Sequence, residues 1–213
     1  MRILIIGAAG DVGRRIAAEA LSRGHSVTGV VRSAAQFDKL PDAVAPCAAD
    51  VSHPGQTARA IEGQDIVISA VRPPDGQETL LVDLTRSVLD GAAAAGIRAL
   101  IVGGASRLKL PDGSGMTVLN APGFLPVSTI PIARACLRQY ELCLSESQAD
   151  WTYFSPAARL EPGERTGRYR LGTDTLLVDG NDVSRISMED FAMALLDEME
   201  MPRYSRQAFT IGY

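Results

Sequence analysis

Apolar and polar positions along this chain switch between two periods, and the switching predicts an alternation of strands and helices. Residues Arg2 to Ile6 form a short apolar run suited to a strand buried on both faces. From Asp11 to Leu21 the apolar residues Val12, Ile16, Ala17 and Ala20 recur at helical spacing. "HSVTGVV" (His25 to Val31) reads as a second strand and "AVAPCAA" (Ala43 to Ala49) as a third. "TARAIEG" predicts a short helix ahead of a fourth strand at Asp65 to Ala70. From Gln77 to Ala95, Leu80, Leu81, Leu84, Val88 and Ala92 make one helical stripe, which Gly96 stops. "IRALIVGG" (Ile97 to Gly104) is the fifth strand. Strands alternating with helices imply right-handed parallel crossovers, with helices on both faces of the sheet.

The period is lost from Ala105 to Ile130, a stretch holding several glycines and prolines. A loop this long inside a compact domain is usually functional or disordered, and this one leaves the carboxyl end of strand five, where open parallel sheets bind ligands. A helix at Ile132 to Ser147 and a strand, "DWTYFS", restore the pattern. "GRYRLG" and "TLLVDGNDVSRI" read as short antiparallel strands, with Asp179-Gly180 as a hairpin turn. Ser187 with Asp190 marks a helix start. The last helix turns Met188, Phe191, Ala192, Leu195, Leu196 and Met199 inward and leaves Glu189, Asp197 and Glu198 outside. "AFTIGY" is the last strand. The expected architecture is α/β: a doubly wound Rossmann-type parallel sheet with a small C-terminal α+β lobe. Residues 1–213 are read as one domain, with about 156–187 supplying much of a lobe on the substrate side.

Composition narrows the partners. With 46% hydrophobic and 22% charged residues, the chain has the balance of a globular protein with a full core. Its net charge is −4, and its 21 basic residues form no basic block, which argues against nucleic acid. No apolar run approaches the roughly 20 residues needed to span a bilayer. The first strand starts too early and is too short for a signal peptide. Cys47, Cys136 and Cys143 lack metal-site spacing and read as reduced thiols, so a cytoplasmic location is expected.

The candidate chemistry begins at the first turn. Gly7, Gly10 and Gly13 fall three apart between the first strand and first helix, the context of a dinucleotide fingerprint in GxxGxxG spacing. With Ala8, Asp11 and Val12 they would form the cofactor loop, its phosphates held by the unpaired amides and positive dipole of the helix start. Arg32 ends strand two, where folds selective for NAD place an acid; a cation there suits a 2′-phosphate and predicts NADPH over NADH. Asp50-Val51 follows strand three at the adenine edge. Ala70-Val71-Arg72 closes strand four on the nicotinamide side, and Pro73-Pro74 stiffens its exit.

Absences matter as much. A tyrosine four residues before a lysine, the usual alcohol dehydrogenase pair, does not occur: the fourth residue after Tyr140 is Leu144. His25 and His53 read as surface residues near turns. Ser106 and Ser155, after strands five and six, are candidates to bond a substrate or the carboxamide. Met116, Pro122, Phe124 and Leu125 offer an apolar lid from the long loop. Asp174, Asp179 and Asp182 lack calcium-loop spacing, and no metal site is visible.

"IGAAGDVGRRI", "VVRS", "ADV" and "LIVGGAS" together resemble the atypical short-chain dehydrogenase-like NAD(P)-binding proteins. The tail "DWTYFSPAARLEPGERTGRYRLGTDTLLVDGNDVSRISMEDFAMALLDEME" is similar to the subgroup named for NADH-flavin reductase, akin to biliverdin reductase B. The resemblance spans nearly the full length. It implies that Gly7, Gly10, Asp11, Val12 and Gly13 line the pyrophosphate, Arg32 the adenosine phosphate, Asp50-Val51 the adenine and Ala70-Val71-Arg72 the nicotinamide. One departure is that no histidine follows His53, so the substrate-side histidine of some such reductases has no counterpart. The expected function is an NADPH-dependent reductase passing hydride to a flat small-molecule acceptor, with FMN or FAD, or a quinone, as substrate. The alternatives are a non-catalytic redox sensor akin to NmrA-like regulators and, less favoured, a sugar-nucleotide epimerase or dehydratase.

Overall fold

A computed structural model describes residues 1–213. Strand β1 (Arg2–Ile6) lies at the centre, paired in parallel with β2 (Ser26–Val31) on one side and β4 (Ile66–Ser69) on the other. β3 (Ala45–Ala48) forms the edge beyond β2. Past β4 come β5 (Arg98–Val102), β6 (Asp150–Pro156) and β10 (Gln207–Gly212), all parallel, and then β8 (Arg170–Gly172), antiparallel to β10. The order is β3-β2-β1-β4-β5-β6-β10-β8. A Rossmann-type parallel sheet is therefore present, and its winding reverses between β1 and β4.

The period of two along β1 divides the core. Ile3 and Ile5 face helices α1 (Asp11–Ser22) and α5 (Met188–Glu200), in one cluster with Ile16, Phe154, Phe191, Leu195 and Phe209. Leu4 and Ile6 face the opposite layer, with Val88 of α3 (Leu80–Ala95), Leu142 of α4 (Ile130–Ser145) and Ile61 of α2 (Pro54–Ile61). Pro54 opens α2 at the first turn, where its missing N–H has no acceptor to lose. Gly96 closes α3 at φ +66°, the left-handed conformation that glycine adopts without a Cβ clash. Ser187 caps α5, its hydroxyl accepting from the Asp190 amide at 3.0 Å.

Three expectations need correction. The segments on either side of Asp179-Gly180 do not pair with each other. Asp179 does form a turn, its carboxylate accepting from the Asn181 and Val183 amides at 2.9 and 3.1 Å. The flanking residues go elsewhere: β8 takes the open edge of β10, and β9 (Arg185–Ser187) pairs in parallel with β7 (Arg159–Glu161) in a separate two-stranded sheet. Glu198 is not outside; it is 1% exposed. Arg98 reaches it at 2.5 Å, and the Arg203 and Tyr204 amides donate to it at 3.0 and 2.9 Å. A carboxylate so supplied can be buried without an orphaned charge. Leu80, finally, is exposed at the start of α3 rather than part of its buried stripe.

The 105–130 segment carries no long regular element, yet it is tied down. Lys109 donates its amide to the Asp174 carbonyl and accepts from the Leu176 amide, both at 2.8 Å. Leu108 and Val118 pack on Leu176 as a small third cluster. No helix is long and apolar enough to cross a membrane.

Candidate functional site

The turn from β1 to α1 is built on close backbone approach. Gly7 has φ +88°, and a Cβ there would meet the Ala70 carbonyl oxygen at 2.5 Å, so this glycine lets β1 and β4 end side by side. A Cβ on Gly13 would sit 2.0 Å from the Gly7 carbonyl oxygen, so α1 packs against the loop only without one. Gly10 differs. Its φ is −79°, and a Cβ would meet only the Gly7 carbonyl oxygen, at 3.3 Å. Its remaining space belongs to the cleft. No side chain caps α1, and the amides of Asp11, Val12 and Gly13 have no acceptor in the chain. An uncapped helix start facing a cleft is a ready anion site. The residues present fit a dinucleotide pyrophosphate.

The cleft measures about 910 Å³ and lies at the carboxyl ends of β1, β2, β3 and β4. Gly7, Gly10, Asp11 and Val12 line it, as do Arg32, Asp50, Val51, Ala70, Val71 and Arg72. Ala8 and Gly13 are beneath it: Ala8 is fully buried beside Gly29, and Gly13 packs on Gly7. Arg32 is exposed and makes no ion pair, so its guanidinium is free to meet a ligand. The Asp50 carboxylate is already engaged, accepting from the Ser52 hydroxyl at 2.7 Å and the Ser52 amide at 3.0 Å. These bonds hold its pKa below the usual aspartate value, with His53 and Arg32 adding attraction.

A second cavity, of about 270 Å³, adjoins the first. The two share Val12, Ala70, Val71, Arg72, Ala158 and Leu160 as wall. This chamber is largely apolar and is roofed by Val118 and Leu125 of the long segment. Its far side is the first two turns of α4, through Ile132, Ala133 and Cys136. Burial pushes the Cys136 thiol up to about 11. Ser106 lines the chamber, and its hydroxyl is buried with no partner in the chain.

The other substrate-side candidates lie elsewhere. Ser155 is fully buried and accepts from Arg107 Nε at 2.9 Å, away from both cavities. Met116 and Phe124 are each 39% exposed and line neither cavity; their neighbours Val118 and Leu125 take the inward positions. Alternation along an irregular segment carries no fixed period, so the sequence could not say which side chains turn in.

Arg107 went unnoticed in the sequence, and it organises this edge. Besides Ser155, it reaches Asp174 at 2.7 Å and the Thr173 carbonyl at 2.8 Å, and its guanidinium lies 4.9 Å from the centre of the Tyr140 ring. Tyr153, also fully buried, donates its hydroxyl to the Cys136 carbonyl at 2.8 Å, and burial raises its pKa well above the usual tyrosine value. Gly103 is what admits it: a Cβ there would strike the Tyr153 ring at 2.0 Å. Tyr153 therefore serves packing, and the chamber wall holds no tyrosine, lysine, histidine or carboxylate.

Known proteins agree with this frame. The profile of the NAD(P)H-binding family matches residues 7–199. A Burkholderia pseudomallei structure, provisionally named an exported protein, superposes with TM-score 0.89 at 39% identity, over 100% of each chain. One from Bacteroides thetaiotaomicron, provisionally named an epimerase, gives 0.88 at 38% identity over 100% of this chain and 96% of that one. One from Streptococcus pneumoniae, provisionally named an NADH-flavin reductase, gives 0.89 at 28% identity over 100% and 99%. The three names differ while the fold is constant, so fold alone does not choose the reaction. The chain belongs to the NAD(P)H-binding family, as an atypical short-chain-dehydrogenase-like protein.

Proposed function

We propose that this protein is an NADPH-dependent reductase that passes hydride to a flat acceptor such as a flavin or quinone. The observation that carries the reading is the shared wall: the nucleotide cleft adjoins an apolar chamber that lacks a general acid. The bound nicotinamide would supply the hydride. The chain's part is to orient and to exclude water, bringing donor and acceptor to about 3–3.5 Å. Small residues at the junction, Ala70 and Ala158, leave room for that approach. Ser106 offers one hydroxyl to an acceptor oxygen. Apart from the Arg72 guanidinium, the other protic side chains of the wall are Thr129 and Cys136, and a thiol held near 11 stays protonated and unreactive at neutral pH. A reduced flavin anion can instead collect its proton from water, so this chemistry tolerates such a wall. An epimerase of the usual kind would require an acid-base pair that the chamber does not contain.

The preference for NADPH rests on Arg32, an unpaired cation on the cleft wall at the end of β2. Three free cysteines and the cofactor class are consistent with a cytoplasmic setting. The deciding experiment is an NADPH oxidation assay against flavins, quinones and tetrapyrroles. Cofactor binding without oxidation by any of them would favour the redox-sensor alternative.

A further inference from the structure

The chamber has a single charged side chain. Of the residues that line it, only Arg72 has a charged side chain, and it belongs to the wall shared with the cleft. Its side chain is 67% exposed. Its partner Asp75 is 3.6 Å away and itself 91% exposed, a loose pair that water screens. Glu78 also feels Arg72, but that carboxylate is engaged by the Gly76 amide at 3.0 Å. No hydrogen bond fixes the Arg72 guanidinium to the chain, so its planar donors are available. Its charge is felt inside the chamber, where it acts on the Cys136 thiol against the effect of burial.

Other groups already answer the charges of the dinucleotide. The uncapped start of α1 opens on the cleft at Gly10, Asp11 and Val12, and Arg32 lines the same cleft. A ligand in the chamber finds apolar wall, the Ser106 hydroxyl and this one cation. We propose that Arg72 is a specificity residue for the acceptor, favouring flat carbonyl-bearing rings that carry an anionic group over neutral ones. The anion would sit at the mouth of the chamber and the ring inside it. The inference rests on the reductase reading for its ring, but the anion selection can be tested by binding alone.

Two matched probe pairs separate charge from ring: FMN against riboflavin, and naphthoquinone-2-sulfonate against menadione. Affinities are measured on the full chain with NADP present, by fluorescence quenching or calorimetry, and KM values by NADPH oxidation. The parent protein should favour the anionic member of a pair by about tenfold, the scale of one charge-assisted contact. Arg72→Gln should bring the pair to within about threefold, and Arg72→Lys should keep part of the difference. Equal affinity within both pairs in the parent, or no binding of any probe, would overturn the proposal. So would an Arg72→Gln variant that loses NADP affinity as much as FMN affinity, since Arg72 would then belong to the cofactor. If the anionic probes bind preferentially but NADPH is never oxidised, anion selection stands and the reductase reading fails.

Discussion

The Gly7 carbonyl oxygen occupies the space where a side chain on Gly13 would begin, 2.0 Å from the position of its Cβ. Gly10, three residues earlier, has no such backbone obstacle within 3 Å. The two glycines should therefore fail differently. Gly13→Ala forces α1 off the loop and should destabilise the fold by about 1–3 kcal/mol, the cost of overpacking. Gly10→Val should fold but fill the pyrophosphate space and abolish NADPH binding. Thermal melts together with calorimetric titration check both. A well-folded Gly10→Val that bound NADPH normally would move the phosphate site elsewhere.

Arg32→Glu should reverse the cofactor preference. The parent should bind NADPH more tightly than NADH by about tenfold to a hundredfold, from a charge-assisted contact of roughly 1.5–3 kcal/mol. In the variant a carboxylate would repel the 2′-phosphate and accept from ribose hydroxyls instead. Titration with both cofactors is the measurement, and equal affinities in the parent would count against the assignment.

Tyr140→Phe should leave acceptor reduction nearly unchanged. The Tyr140 ring packs 5.3 Å from that of Tyr153 and under Arg107, outside both cavities. A turnover loss above about tenfold, roughly 1.4 kcal/mol of transition-state stabilisation, would show that the phenol takes part. Protonation from water would then be wrong.

Acid should weaken the α1–α5 side of the molecule through Glu19. This carboxylate is 6% exposed and accepts from Arg165 Nε and Arg23 Nε, each at 2.8 Å. The Arg165 bond is the main cause that lowers its pKa from 4.5; burial opposes the shift and Arg23 reinforces it. A depressed carboxylate contributes stability above its unfolded value and loses it as pH falls through the folded one. Stability should thus be level near neutrality and decline below about pH 4.5. Glu19→Gln should cost about 1–2 kcal/mol at pH 7, allowing for the half-exposed Arg165, and flatten the acid limb. Denaturant melts across pH 3–7 compare the two; identical acid limbs would assign the decline to other carboxylates.

What the sequence made legible was local. The glycine turn, Arg32 at a strand end and the Ser187 cap each depend on residues within one turn of chain. So did the twofold and helical periods that placed β1 and α1. The chamber was harder, because its wall comes from the ends of β4 and β5, the 118–125 stretch and α4, brought together only by folding. The sequence pointed to Ala70-Val71-Arg72 and Ser106 from their places after strands and to Leu125 on the long segment, but not to the α4 face of Ile132, Ala133 and Cys136. Glu198 and Ser155 were misplaced for one reason: polarity suggests water or ligand, yet each is buried against an arginine, Arg98 and Arg107 respectively, from a distant part of the chain.

The shared wall also bears on the order of events in turnover. Because Val71, Arg72 and Ala158 bound both cavities, a ligand in one alters the surface offered to the other. NADPH seated first would complete the floor on which an acceptor lies, whereas an acceptor seated first would stand in the path of the nicotinamide. A reductase of this build should work through a ternary complex with the nucleotide leading, and its initial-rate plots should intersect rather than run parallel. The oxidised nucleotide would leave last, making its departure a candidate for the slow step of the cycle.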